Sequence, residues 1–420
     1  MYPDYAVALS NDDGTEIVSE QVIDIRFKGN KTTRPETMMQ EVRISVGESF
    51  DRANTEKSRQ AIMDLGLFKT VKVNTQATPK GVIVEFVVEE KYYILPVPKI
   101  NRNAEGDIKY GAELRWDNIR GINQRAKISW LRTVFADSGV NDRDKMELEY
   151  AYPRVLGTPY FFKMDYGRKD TQIEASDEND LTGTYGEIIL GASFDVSRWH
   201  NTKGPSKGLR YGGGMLWSNT EYDYISGQQG LKEGSNIVTV RAGVSYTDIH
   251  DLSFYRRGSE YGYDLAVGAR QLGSDEGFST HSFYLRTYQP FFKFPHQNFN
   301  AQVRFGFSNA AGRGAFSMGG ANSLRGFSRG SFSGNAILLF NLEYLAPVWG
   351  YKPFRMLVFA DVGAVAPALS EYRDSEVESG VGIGFRWKLR SFVKTDLRLD
   401  YAYGVSSEET RVYASTSETF

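Results

Sequence analysis

The chain has 420 residues, with 50 Lys and Arg against 52 Asp and Glu, and its formal charge of −2 gives no electrostatic reason to expect a nucleic-acid partner. It contains no cysteine, which excludes disulfides and thiolate metal sites, and its four histidines lack the spacing of a metal site. The mean hydropathy is −0.42, and no apolar run approaches the roughly 18 residues of a membrane-spanning helix. The low hydropathy does not exclude a transmembrane β-barrel, because the strands of such a barrel are apolar only at alternate residues.

Residues 1–20 carry neither the basic segment nor the apolar stretch of a secretion signal. The run from Asn11 to Gly14 is polar and contains two aspartates, which is typical of a linker. We therefore expect residues 1–20 to be a linker or the remnant of an upstream segment. The chain is then a mature form or a fragment.

Residues 21–91 predict a small α+β domain with the element order β-α-α-β-β. The predicted elements are a strand at 22–27, a helix capped by Thr33, a helix from about Asn54 to Gly66, and strands at 68–74 and 82–88. This order, with Gly66, Leu67 and Phe68 leading into the alternating strand that contains Val71 and Val73, resembles a POTRA domain. A small α+β domain of another kind also fits the pattern.

From Tyr92 to Phe420 the helical period disappears, and alternating segments recur about every twenty residues. In one of them, Val238, Val240, Ala242, Val244 and Tyr246 alternate with Thr239, Arg241, Gly243 and Ser245. Apolar residues facing lipid and polar residues facing a lumen are the pattern of a transmembrane barrel. A soluble sandwich has the same period, but its buried face would be less aromatic. We predict a barrel of about 16 antiparallel strands over residues 92–420, an even number typical of bacterial barrels.

The first predicted barrel strand, 92–101, contains Pro96 and Pro98. Proline lacks the N–H that a ladder needs and is tolerated at sheet edges, so this strand is expected to pair weakly. In a closed barrel the first strand meets the last at a seam, and Pro96 and Pro98 would weaken that seam. The prolines could equally serve only to ease the turn into the barrel.

A long loop is predicted at 309–333, between two cleanly alternating strands. Its centre, 316–327, reads FSMGGANSLRGF and is too rich in glycine for a helix interior. Loops of this length inside a compact domain are usually functional. Downstream, Phe359, Asp361 and Gly363 form an F-x-D-x-G pattern, and the alternation turns Asp361 toward the lumen. Glu343, on the preceding strand, also lies on the polar, lumen-facing side of the alternation.

These two motifs resemble those of the BamA/TamA/FhaC superfamily of bacterial outer-membrane proteins. The match consists of Gly319 and Gly320, then Leu324, Arg325, Gly326 and Phe327, followed by Phe359, Asp361 and Gly363. The resemblance implies that the loop folds back into the barrel lumen and that Arg325 meets Asp361 there. Glu343 is a candidate second partner. A POTRA domain ahead of the barrel is also a property of this superfamily.

The chain ends on an aromatic residue, Phe420, which resembles the C-terminal signal of outer-membrane barrels. Glu418 shares its parity and departs from that pattern. Enzymatic functions are not favoured, since the sequence contains no nucleophile elbow and no glycine-rich phosphate loop. No catalytic residue, cofactor or metal is expected.

The resemblance implies a protein of the outer membrane of a Gram-negative bacterium, a bacterial surface antigen with its POTRA domain in the periplasm. It would insert or export client polypeptides without using nucleotide. The implied partners are an unfolded or extended client polypeptide, outer-membrane lipids, and periplasmic chaperones or accessory subunits. Three alternatives stay open: a translocation unit for a fused patatin-like passenger, a passive porin-like channel, and an adhesin or purely structural barrel.

Overall fold

The computed structural model describes residues 21–102, 108–134, 143–176, 182–201, 207–252, 254–291, 294, 296–311, 314–393 and 396–415. The segment predicted as a linker, 1–20, and the terminal Phe420 lie outside the described residues. Within them the chain forms a small N-terminal domain followed by one large antiparallel sheet. None of the described helices is both long enough and apolar enough to cross a membrane.

The N-terminal domain has the element order that the sequence predicts. Its elements are β1 (Val22–Lys28), α1 (Pro35–Met39), α2 (Arg52–Asp64), β2 (Phe68–Thr78) and β3 (Gly81–Glu90). The three strands form a sheet in the order β1-β3-β2, with β1 parallel and β2 antiparallel to the central β3. The outer edge of β2 pairs with no other strand among the described residues.

The helix caps differ from those that the sequence predicts. Asp51 caps α2, because its carboxylate accepts the N–H groups of Ala53 and Asn54 at 2.7 and 3.1 Å, so the helix starts before Asn54. Thr33 does not cap α1, which follows Arg34 and has no side-chain cap. The Thr33 hydroxyl instead bonds the Tyr93 hydroxyl at 3.0 Å.

The core of the domain lies between the two helices and the sheet. Ile62 of α2 and Phe86 of β3 are completely buried. Ile25, Phe27 and Leu65 pack against this core and are partly exposed. Burial of a side chain such as Ile62 contributes roughly 1.5–3 kcal/mol to the stability of the domain.

The large sheet contains 16 strands among the described residues, every neighbouring pair antiparallel. They are β4 (Ile94–Arg102), β5 (Ile108–Ile119), β6 (Gln124–Val134), β7 (Arg143–Tyr152), β8 (Tyr160–Ser176), β9 (Thr182–Trp199), β10 (Gly208–Gly227), β11 (Ser235–Asp251), β12 (Arg256–Gly268), β13 (Ser279–Pro290), β14 (Asn298–Ser308), β17 (Ala336–Val348), β18 (Tyr351–Ala366), β19 (Glu378–Lys388), β20 (Asp396–Gly404) and β21 (Thr410–Ser415). Between β14 and β17 lies a separate two-stranded sheet of β15 (Phe316–Met318) and β16 (Phe332–Gly334). Short 3-10 helices occur at Val155–Gly157, Arg270–Leu272 and Leu369–Asp374. The predicted barrel of about sixteen strands is confirmed.

The two faces of the sheet differ as the alternation predicts. On β11, Val240 and Tyr246 are exposed on the outside, whereas Thr239 and Ser245 are buried on the inside. The outside therefore carries an apolar surface suited to lipid, and the inside carries polar side chains.

The start of the barrel lies beside its C-terminal strands. The N–H of Tyr92, just before β4, donates to the carbonyl of Ser391 at 2.6 Å, and its ring lies 5.6 Å from that of Phe392. These contacts bring the first strand, β4, to the side of the sheet that ends with the last strand, β21. Among the described residues no hydrogen-bonded ladder joins β4 to β21. We call the junction between these two strands the seam.

Candidate functional site

The predicted long loop enters the barrel from the end opposite the N-terminal domain and packs on the inner wall. Met318, Leu324 and Phe327 from the loop are buried against Ile337 and Leu339 at the start of β17. The sequence predicts no strand inside 309–333, but the structure has the hairpin β15–β16 at the base of the loop. The remaining residues, 319–331, form the tip.

Glycines let the loop backbone lie directly on the barrel wall. Gly319, Gly320 and Gly326 all have positive φ, between +98° and +115°, which strains any other residue. A Cβ on Gly326 would lie 2.5 Å from the backbone nitrogen of Gly404 on β20. A Cβ on Gly363 of β18 would lie 2.6 Å from the sulfur of Met318, so the last residue of F-x-D-x-G makes room for the loop.

Arg325 contacts both of the carboxylates that the sequence singles out. Its Nε and Nη2 donate to the two oxygens of Asp361 at 2.6 and 2.7 Å, and its backbone N–H donates to Asp361 at 3.1 Å. Its Nη1 donates to Glu343 Oε1 at 2.6 Å. The guanidinium lies 3.6 Å from the centre of the Phe359 ring. Only 1% of the Arg325 side chain is exposed, so each bond forms away from bulk water.

Three charged residues of this site are absent from the sequence prediction. Arg386 of β19 bonds Glu343 at 3.2 Å and also pairs with Asp400 of β20. Arg398 of β20 pairs with Asp400 at 2.6 Å, and Arg325 Nη1 lies 3.6 Å from the same carboxylate. The alternation of β19 and β20 already turns these side chains inward. In the sequence, the only indication of these residues is that they occupy the polar positions in the alternation of the last strands.

The resulting group, which we call the lumenal cluster, joins three arginines to three carboxylates through ion pairs: Arg325, Arg386 and Arg398 with Glu343, Asp361 and Asp400. All six side chains are almost completely buried. The direct ion pairs and hydrogen bonds within the cluster offset part of the cost of burying each ion. The cluster is therefore suited to holding the loop in one position.

Further hydrogen bonds hold the loop tip from neighbouring strands. The Asn341 amide of β17 donates to the carbonyl of Ser323 at 2.7 Å and to Asp361 at 2.8 Å. Arg398 donates to the Asn322 side chain at 2.9 Å. The loop is thus bonded to β17, β18 and β20.

The predicted seam residues lie on the first strand. Pro96 and Pro98 are exposed on β4, opposite Leu114 and Ala112 of β5. A proline cannot donate a ladder hydrogen bond, which suits a strand whose other edge has no ladder partner among the described residues. Phe420, the predicted C-terminal signal, lies beyond the described range.

The N-terminal domain docks on the end of the barrel from which β4 starts. At α1, the carbonyl of Gly121 accepts from the backbone N–H of Arg34 and from the Thr37 hydroxyl, both at 2.9 Å. Glu41 and Arg154 form an ion pair of 3.3 Å, with 3% and 6% of their side chains exposed. These contacts attach the domain to the turns that follow β5 and β7.

At α2 the domain contacts other turns at the same mouth of the barrel, those between β9 and β10 and at the end of β11. Asp64 pairs with Lys207 at 2.5 Å and with His250 Nδ1 at 3.0 Å, and it accepts the N–H of Asp251 at 2.8 Å. Val393, in the turn before β20, is buried in the core of the N-terminal domain. The domain therefore contacts turns distributed around the barrel mouth.

No group of three or more His, Asp or Glu side chains in the described part of the chain could hold a metal ion. Sixteen antiparallel strands, an apolar outside and a polar inside closed by a loop define a β-barrel outer-membrane protein with an N-terminal α+β domain. Two family models match the chain: the Omp85 superfamily domain over residues 118–420, and the POTRA model, described as a surface antigen variable number repeat, over residues 21–91. The chain belongs to the Omp85 superfamily.

One relative is similar to nearly the whole of this chain. The outer membrane protein assembly factor BamA of Nitratidesulfovibrio vulgaris (strain Hildenborough) is 21% identical over 98% of this chain. The chain spans about half, 54%, of the length of that relative. The superfamily assignment confirms the resemblance that the two loop motifs indicate.

Solved structures share the fold. CdiB from Escherichia coli matches with a TM-score of 0.65 and 12% identity over 95% of this chain and 75% of its own. CdiB from Acinetobacter baumannii matches with a TM-score of 0.62 and 12% identity, over 94% and 73%. BamA from Haemophilus ducreyi lacking POTRA domains 1–3 matches with a TM-score of 0.53 and 17% identity, over 94% and 84%.

Proposed function

We propose that this protein inserts client polypeptides into the outer membrane or moves them across it, with the POTRA domain in the periplasm. The observation that carries the proposal is the lumenal cluster, in which a completely buried Arg325 holds an inward-folded loop against Asp361 and Glu343. A loop held this firmly in the lumen argues against an open porin-like channel.

The proposed client is an unfolded or extended polypeptide. The edge of β2 offers an eleven-residue strand, Phe68–Thr78, to which such a chain can add by main-chain hydrogen bonds. Membrane lipids, periplasmic chaperones and accessory subunits are the other proposed partners.

The seam is the second proposed contact with the client. A lipid-exposed strand edge without partners is costly, because the bilayer offers no hydrogen bonds to its N–H and C=O groups. A client strand that pairs with β4 or β21 removes that cost and enters the membrane already folded. This route needs no nucleotide, metal or cofactor.

The test is insertion of an unfolded outer-membrane barrel into lipid vesicles that contain the purified protein. Protease resistance of the client and its gel shift on heating report insertion. Arg325→Ala should abolish most of the activity, whereas Arg329→Ala, an exposed arginine in the same loop, should leave it unchanged. Equal activity of both variants would contradict the proposal.

The POTRA contact is tested separately by a photo-crosslinking residue. At Asn74, exposed on the edge strand β2, it should capture client; at Glu36, exposed on α1, it should not. Equal capture at both positions would exclude strand addition at β2.

A further inference from the structure

The last strand, β21, is attached to the loop as well as to the sheet. Tyr413 lies in its middle, half-buried, with its side chain toward the lumen. Its hydroxyl donates to the carbonyl of Phe327 at 2.7 Å and accepts the N–H of Gly326 at 3.2 Å. One hydroxyl thus bonds two groups of the loop backbone, immediately after Arg325.

The Tyr413 ring belongs to the same packed unit as the lumenal cluster. It contacts an apolar group that contains Leu357, Phe359 and Ala402. Phe359 in turn lies under the Arg325 guanidinium, 3.6 Å away. The ring and the hydroxyl of Tyr413 therefore connect β21 to the residues that hold the loop in the lumen.

In the described part of the chain, β21 is joined to the sheet along one edge. Its described ladder to β20 covers six residue pairs, from Arg398 with Ser415 to Tyr403 with Thr410. No ladder to β4 exists among the described residues. Tyr413 therefore adds a lumenal attachment to a strand that its described ladder holds along one edge.

We infer that Tyr413 is a positioning residue that ties the last strand to the seated loop and so opposes its pairing with the first strand. A strand edge in lipid gains hydrogen bonds when it finds a partner, so a released β21 should move toward β4. Seating of the loop and opening of the seam are then coupled through one hydroxyl. The inference rests on the proposed function, since it takes the seam to be the place where a client strand pairs with the barrel.

The chain has no cysteine, so a pair of introduced thiols reports the seam without interference. Ile100 of β4 and Val412 of β21 both face outward, with 83% and 64% of the residue exposed. In the Ile100→Cys, Val412→Cys background, Tyr413→Phe should raise the yield of the disulfide several-fold. Tyr401→Phe is the matched control, because Tyr401 is exposed on the lipid side of the neighbouring strand; it should not change the yield.

A second comparison separates positioning from general loosening. Arg325→Ala undocks the loop, so Tyr413→Phe added to it should produce no further rise in disulfide yield. The gel shift on heating should be the same in all variants, which shows that the barrels are folded. An unchanged yield in Tyr413→Phe, or additive rises in the double variant, would overturn the inference.

This measurement is made in vesicles without client and depends only on strand positions. Loss of the Tyr413 effect in a protein that still inserts client would overturn the inference and leave the proposed function intact. A clear Tyr413 effect in a protein that inserts no client would support the inference and contradict the proposed function.

Discussion

Removal of the Arg325 side chain should release the loop from the lumen. Arg325→Ala deletes three charge-assisted side-chain bonds, two to Asp361 and one to Glu343, at a site that is 99% buried. Breaking a buried ion pair from one side typically costs about 3–5 kcal/mol. Here Asp361 keeps its bond from Asn341 and Glu343 keeps Arg386, so we expect the lower end, about 3 kcal/mol.

A cost of about 3 kcal/mol corresponds to a roughly hundredfold rise in the fraction of undocked loops, since about 1.4 kcal/mol is a factor of ten. A thiol introduced as Ser323→Cys measures that fraction, because the Ser323 hydroxyl oxygen is buried when the loop is in the lumen. Its labelling by a maleimide should be slow in the parent and about a hundred times faster in Arg325→Ala. Arg329→Ala, in the exposed part of the same loop, is the control.

Asp361→Ala should have a comparable effect, and the double variant should be no worse than the worse single one, because both changes remove the same bonds. Arg325→Lys should fall in between, since an ammonium cannot make two parallel bonds to one carboxylate. A rise in labelling of less than about tenfold in Arg325→Ala, or simple additivity of the two losses, would refute the reasoning.

Three further predictions concern the rest of the molecule. A spin label at Val240 should report lipid and one at Arg241 water; equal accessibility would contradict the assignment of the two barrel faces. Ile62→Ala should destabilise the POTRA domain by about 2–5 kcal/mol, measured by hydrogen exchange, while exchange in the barrel strands stays unchanged; a matching change in the barrel would mean that the two units unfold together. Burial raises the pKa of Glu90, but hydrogen bonds from Thr33 and its neighbours outweigh this and lower it below its usual value of 4.5, so the carboxylate stabilises the domain above that pH and this contribution is lost as the pH falls below it. The Glu90→Gln variant should lose that part of the pH dependence in thermal unfolding, and an unchanged dependence would show that Glu90 does not contribute.

The barrel was predictable because alternation in sequence maps directly onto the two faces of a strand. The inward position of Asp361 and Glu343 follows from their parity alone, and the number of strands follows from counting the alternating segments. The site of the loop was predictable for another reason. Its glycines and its single arginine stand out between two regular strands.

Other parts of the site depend on contacts between distant segments, which a single sequence does not encode locally. Arg386 and Asp400 have the right parity, but so do many lumenal residues, and only the folded barrel brings Asp400 to Arg325 and Arg386 to Glu343. Docking of Glu41 on Arg154 likewise joins segments 113 residues apart. The first helix shows the same limitation, because Thr33 has the chemistry of a cap but contacts Tyr93.

The charge balance of the lumenal cluster has an electrical consequence. With the loop seated, three guanidinium groups face three carboxylates and the cluster is neutral. When the loop leaves, it removes Arg325, and two cations remain on the wall against Glu343, Asp361 and Asp400. Acidic side chains around a pore favour the passage of cations. Undocking should therefore shift the selectivity of the barrel toward cations, so that the reversal potential of a single molecule in a planar bilayer records the position of its loop.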